Sequence, residues 1–163
     1  MVWHRKDHSG AAVPPPGAEP DAGDTPEGLR RSLREIVKLV NANAGQLPGE
    51  AVVAARRVTD ALNDIIDTSA VRPLDVYAVI SVRGTLTDYL PTTLRSYLAV
   101  DENIRDTPRP SGRSPKESLL EQLAALETSA SSVLLAARNQ DADALLTQGT
   151  FLRTKFSGSD LDL

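Results

Sequence analysis

Residues 75–104 read DVYAVISVRGTLTDYLPTTLRSYLAVDENI, and this stretch decides the fold. Apolar side chains recur in it at helical spacing, and three of the chain's six aromatics, Tyr77, Tyr89 and Tyr97, lie within it. The periodicity is crossed once by proline, in Tyr89-Leu90-Pro91-Thr92-Thr93-Leu94. Proline removes a backbone donor and its ring crowds the preceding turn, so a bent or two-piece helix is expected. One piece runs from about Leu74 to Asp88 on Val76, Val79, Ile80, Val82 and Leu86. The next covers Thr92–Asp101. The β-branched run Val76–Val82 also suits a strand. No other segment offers it a pairing partner, and an isolated strand is not stable, so helix is the expectation. Gly84 in mid-helix points to the close approach of a neighbouring helix.

Working outward, Thr25-Pro26-Glu27 pairs an N-cap residue with a proline at the first helical position. A helix follows on Leu29, Leu33, Ile36, Val37 and Val40 and stops at Asn43-Ala44-Gly45. Pro48-Gly49-Glu50 opens a second helix on Val52, Val53, Ala55, Val58, Leu62, Ile65 and Ile66, and Pro73 ends that segment. Residues 105–113, RDTPRPSGR, read as a flexible connector. Ser114-Pro115-Lys116-Glu117 is a capping box with proline at N1. It opens a helix to about Asn139 on Leu119, Leu123, Leu126, Ala130, Val133, Leu134 and Ala137. Asp141 is expected to cap a last helix on Leu145, Leu146, Leu152 and Phe156. Residues 158–163 are expected to fray. Residues 1–24 contain Pro14-Pro15-Pro16-Gly17 and almost no apolar side chain after Val13, the composition of a disordered tail. Residues 25–157 then form one all-α domain, a helical bundle of four to six helices.

Length and composition support that frame. A chain of 163 residues is one domain by size and long enough to bury a core without staples. There is no cysteine, which excludes disulfides, thiolate chemistry and Cys-ligated zinc and suits a reducing, cytoplasmic setting. Net charge is −4. Residues 1–28 hold most of that excess, so the remainder is near neutral and no global field favours nucleic acid or an anionic membrane. No apolar run approaches the ~20 residues of a membrane span, and the N-terminus has no signal-peptide core. The alanine-rich, arginine-over-lysine usage associates with high-GC bacteria.

Chemistry-bearing patterns are sparse. His4 and His8, the only histidines, sit in the expected tail, which leaves the helical domain without a His base, triad or zinc ligand. Asp60/Asp64, Asp101/Glu102 and Asp141/Asp143 are the carboxylate pairs that an acid–base or Mg²⁺ site would need. Capping, a helix end and a polar helix face account for them structurally. No GxxxxGK[ST], GxGxxG or GxSxG occurs. Arg30, Arg34 and Lys38 make a basic stripe on the first helix, and Asp60, Asp64 and Asp67 an acidic one on the second. A short connector makes the two helices antiparallel neighbours, so the stripes are candidates to face each other. Phe151-Leu152-Arg153-Thr154-Lys155-Phe156 is an aromatic–basic cluster, suited to packing, to a partner or to a lipid surface.

The string Tyr89-Leu90-Pro91-Thr92-Thr93-Leu94, followed by Tyr97 and the capped helix at Ser114, resembles the C-terminal region of the bromo-chloro-indolyl phosphate hydrolysis family. The likeness covers about residues 75–156. It implies a helical, envelope- or stress-linked accessory protein and supplies no catalytic residues to carry over.

The resulting expectation is a non-enzymatic helical protein without cofactor or metal. It binds a protein partner or itself through a surface formed by Tyr89, Pro91, Tyr97, Phe151 and Phe156. A metal-dependent phosphoester hydrolase and a peripheral membrane protein are the competing readings.

Overall fold

Thr25 opens the first helix by accepting a hydrogen bond on its hydroxyl from the Gly28 N–H at 3.1 Å. With Pro26 behind it, that cap starts α1 (Pro26–Asn43), as its sequence signature predicts. A computed structural model describes the backbone of residues 21–159 and the side chains of 21–141, 143, 146 and 147. The other helices are α2 (Gly49–Thr68), α3 (Val76–Gly84), α4 (Leu90–Leu98) and α5 (Pro115–Ser159). A π-helical turn, Thr85–Tyr89, joins α3 to α4, and a 3-10 turn, Glu102–Ile104, follows α4. Among the described residues there is no strand, so the chain is all-α and Val76–Val82 is helical.

Side-chain contacts give the helix directions. Arg30 reaches Asp67 at 3.2 Å and Arg56 reaches Asn41 at 3.5 Å, which makes α1 and α2 antiparallel. Lys116 with Glu50 and Arg138 with Asp64 make α2 and α5 parallel. Gln140 donates to Asp75 at the start of α3, whereas Leu119 lies beside Tyr97 in α4, so α5 runs antiparallel to the α3–α4 segment. With α3, the π turn and α4 counted as one helix, the result is an up-down-up-down four-helix bundle. The core collects Leu29, Leu33, Ile36 and Val40 of α1, Ala51, Ala55, Val58, Leu62, Ile65 and Ile66 of α2, Val82, Leu86, Leu90 and Leu94, and Leu119 and Leu123 of α5. Val37 and Val53, expected in that core, are 37% and 50% exposed, at the edges of their stripes. The charged stripes of α1 and α2 meet only at Arg30–Asp67. Lys38 pairs with Glu35 of its own helix, and Asp64 turns to Arg138.

The π turn explains how one helix crosses Pro91 and keeps one buried stripe. Val82 and Leu94 are twelve residues apart, roughly 120° out of phase on an unbroken α-helix. The extra residue of a π turn removes about 100° of that offset and brings both onto the core face. Both are indeed fully buried, with Leu86 and Leu90 between them. The Leu90 N–H bonds the Thr85 carbonyl, five residues back. The Thr85 and Thr87 hydroxyls donate to the Ser81 and Arg83 carbonyls, both at 2.8 Å. The bend expected at Pro91 is thus a widened turn just before it, and Pro91 itself is buried in the first turn of α4.

Three expectations are corrected. Residues 21–24 belong to the fold: Arg83 holds Asp24 at 2.9 Å and Asp21 at 3.5 Å, and Gly28 packs directly under the Ala22 carbonyl. The rest of the expected tail, residues 1–20 with His4 and His8, lies outside the described residues. The connector 105–113 is pinned by Arg105, only 8% exposed, which donates to the carbonyls of Val100, Gln46 and Leu98 at 3.1, 3.3 and 3.2 Å. Those bonds satisfy the open carbonyls at the end of α4 and tie them to the α1–α2 connector. Finally, no break occurs near Asn139. Asp141 caps nothing; it sits inside α5 and pairs with Arg72 at 3.1 Å, because the α2–α3 connector brings that arginine alongside. The helix continues to Ser159, past the expected fraying point. The Ser114 capping box is present in full: Ser114 N–H to Glu117 at 2.9 Å, and Glu117 N–H to the Ser114 hydroxyl at 3.1 Å.

Candidate functional site

Asp75 sets where α3 begins. Its carboxylate accepts from the Ala78 N–H at 2.7 Å and from the Gln140 side-chain amide at 2.9 Å. These bonds, the Ala78 one foremost, hold the Asp75 carboxyl below the usual carboxylate range. The five residues after it, Val76-Tyr77-Ala78-Val79-Ile80, are apolar on every side of the helix. A helix that is apolar all round has more such surface than one neighbour face can cover. The small Ala78 and Val82 fill the buried side. Val76, Tyr77 and Ile80 are left 71%, 86% and 63% exposed.

The π turn extends this outer face. It brings Tyr89 over Gly84, and Tyr89 is itself 57% exposed. Val76, Tyr77, Ile80 and Tyr89 therefore form one apolar strip along α3 and the π turn. The charges beside it are already engaged. Arg83 is held by Asp21 and Asp24, and Asp75 by the helix start and Gln140. Beyond the π turn, α4 and α1 enclose a groove of about 560 Å³, floored by Ile36, Leu39, Leu86 and Pro91 with Lys38 and Arg95 at its rim.

The residues expected to bind a partner separate in space. Tyr89 is on the outer strip. Pro91 is buried against α1, and Tyr97 is 7% exposed with the Arg105 guanidinium 4.9 Å from its ring centre. The side chains of Phe151 and Phe156 lie outside the described residues. Val76 and Ile80, expected in the core, are the strip's main members. The signal for them was the unbroken apolar run Val76–Ile80, which no single buried stripe can absorb.

The carboxylate pairs are distributed rather than convergent. Asp64 faces Arg138, Asp101 caps the 3-10 turn through the Asn103 N–H at 2.9 Å, and Asp141 faces Arg72. Among the described residues, no three His, Cys, Asp or Glu side chains come together in a group able to hold a metal ion. No helix of the described residues is long and apolar enough to cross a membrane. Comparison with protein-family models, curated proteins and solved structures finds no match to the chain.

Proposed function

We infer that this chain is a non-enzymatic helical interaction protein, acting in the cytoplasm, that self-associates through the outer strip of α3 and the π turn. One observation carries the reading: four large apolar side chains, each more than half exposed, share the short stretch of α3 and the π turn, whereas the other such side chains among the described residues, Val71, Leu135 and Leu146, lie far apart along the chain. Contiguous exposed apolar surface of this kind marks contact sites. The strip spans fourteen residues, about 20 Å of helix, which suits a second helix laid across it.

The second copy is favoured by charge. The four side chains of the strip are uncharged, and the ionised groups beside them are already bonded: Arg83 to Asp21 and Asp24, Asp75 to the helix start, and Asp88 of the π turn to the Thr92 hydroxyl. Two tyrosines supply contact area at low entropic cost. Membership of the bromo-chloro-indolyl phosphate hydrolysis family, proposed on the Tyr89–Leu94 string, fits the same accessory role.

Sedimentation equilibrium across a concentration series tests the proposal. Wild type should show a dimer with a dissociation constant at or below about 1 mM. Ile80→Asp should abolish it and Tyr77→Ala should weaken it, both with unchanged circular dichroism. A wild type that stays monomeric throughout, or a dimer indifferent to both changes, overturns the assignment.

A further inference from the structure

We propose that the cleft between α4 and the start of α5 binds a small organic anion, with Arg109 taking its charge and the Tyr97 hydroxyl its polar edge. The cleft encloses about 260 Å³. Val100 and Leu119 give it an apolar wall, and Ser96, Ser118, Tyr97 and Arg109 bring polar groups to it.

Two independent observations point to a ligand. The first concerns Tyr97. The residue is 93% buried, and its ring is fixed by packing and by Arg105 at 4.9 Å. Its hydroxyl has no hydrogen-bond partner among the described residues, and it is not sealed from solvent either. A buried tyrosine ordinarily finds a partner for its hydroxyl. Tyr97 is one of the residues lining the cleft, and a molecule held there is the partner proposed for its hydroxyl.

The second concerns the cations of the α4–α5 connector and the first turn of α5. Arg105 is consumed by three backbone carbonyls. Arg113 pairs with Glu121, and Lys116 with Glu50. Arg109 alone of the four has no side-chain acceptor among the described residues. Its backbone is nevertheless held. The Arg109 N–H bonds the Arg113 carbonyl at 3.0 Å and the Gly112 N–H bonds the Arg109 carbonyl at 2.7 Å, a closed loop that Gly112 permits with φ of 88°. The loop thus delivers a cation to the cleft mouth and leaves it unneutralised. The start of α5 adds no anion handle of its own, since Ser114 and Glu117 already cap it.

The ligand class follows from these parts. Guanidinium selects a carboxylate or phosphate. The apolar wall selects a flat or branched hydrocarbon body, and the volume limits it to a small one.

The test is titration of the full chain with benzoate, with phenyl phosphate as a second arm and benzyl alcohol as the uncharged control, read by amide chemical-shift changes. Saturable shifts confined to residues 93–122 are expected for an anion, with benzyl alcohol at least about tenfold weaker. Whichever anion binds more tightly identifies the head group. Arg109→Gln should weaken the anion about tenfold and leave benzyl alcohol unaffected. Tyr97→Phe keeps the ring under Arg105 and should weaken the anion about threefold. Absence of saturable shifts for both anions overturns the proposal, as does binding that both variants leave unchanged.

Discussion

The ring of Tyr89 lies over Gly84, its Cε2 3.2 Å from where a Cβ on that glycine would stand. The glycine was expected to admit a neighbouring helix. It admits instead a side chain from its own helix, five residues on, because the π turn stacks positions i and i+5. Tyr89 is mostly exposed and its ring is free to shift outward by the few tenths of an ångström an added methyl demands. Gly84→Ala should therefore raise stability by about 0.5–1 kcal/mol through helix propensity. Urea denaturation decides it; a loss would mean that the ring is locked in place.

Gly28→Ala should do the opposite. A Cβ there runs into the backbone carbonyl of Ala22, which no rotamer change relieves. The turn at residues 21–24 would have to lift, taking Asp21 and Asp24 away from Arg83. A loss of about 1–3 kcal/mol is expected in chemical denaturation. Deleting residues 1–20 alone, by contrast, leaves these contacts in place and should not lower the midpoint.

If the π turn exists to keep the buried stripe in phase, removing its extra residue should convert it to α-helix without changing the core. Deleting the exposed Asp88 should give a folded protein of near wild-type helicity by circular dichroism. Deleting the exposed Arg95 shifts Tyr97 by about 100° and should cost several kcal/mol. Equal damage from the two deletions would show that the π turn does not set the register.

Asp75 gives a pH signature. Its carboxyl is held below its ordinary value in the folded protein, chiefly by the Ala78 N–H. A depressed carboxylate contributes stability that is present above the unfolded pKa, near 4, and is lost as pH falls through the folded value. Asp75→Asn retains an N-cap without the charge. Its stability–pH curve should therefore fall less steeply than that of wild type below about pH 4. Parallel curves would show that the Asp75 bonds do not distinguish its charged form.

Local signals in the chain were enough for the all-α class, the starts of α1, α2 and α5, and the buried stripes of those helices apart from edge positions such as Val37 and Val53. Each of these depends on local signals: a cap, a proline at the first turn, a 3.6-residue repeat. The remaining features depend on contacts between distant segments. Asp141 reads locally as a cap, and only the arrival of Arg72 from another connector makes it a mid-helix ion pair. Arg105 reads as one charge in a polar linker, and its burial depends on carbonyls of Leu98, Val100 and Gln46 converging from two separate elements. In α3 the apolar run has no single phase, so which of Val76, Tyr77 and Ile80 face outward was settled by the side that α5 and α2 cover. Tyr89 and Tyr97 looked alike in sequence; the π turn and the packing of α4 sent one to the surface and buried the other. Periodicity reports that a helix has a face, and only its neighbours decide which face is left for another molecule.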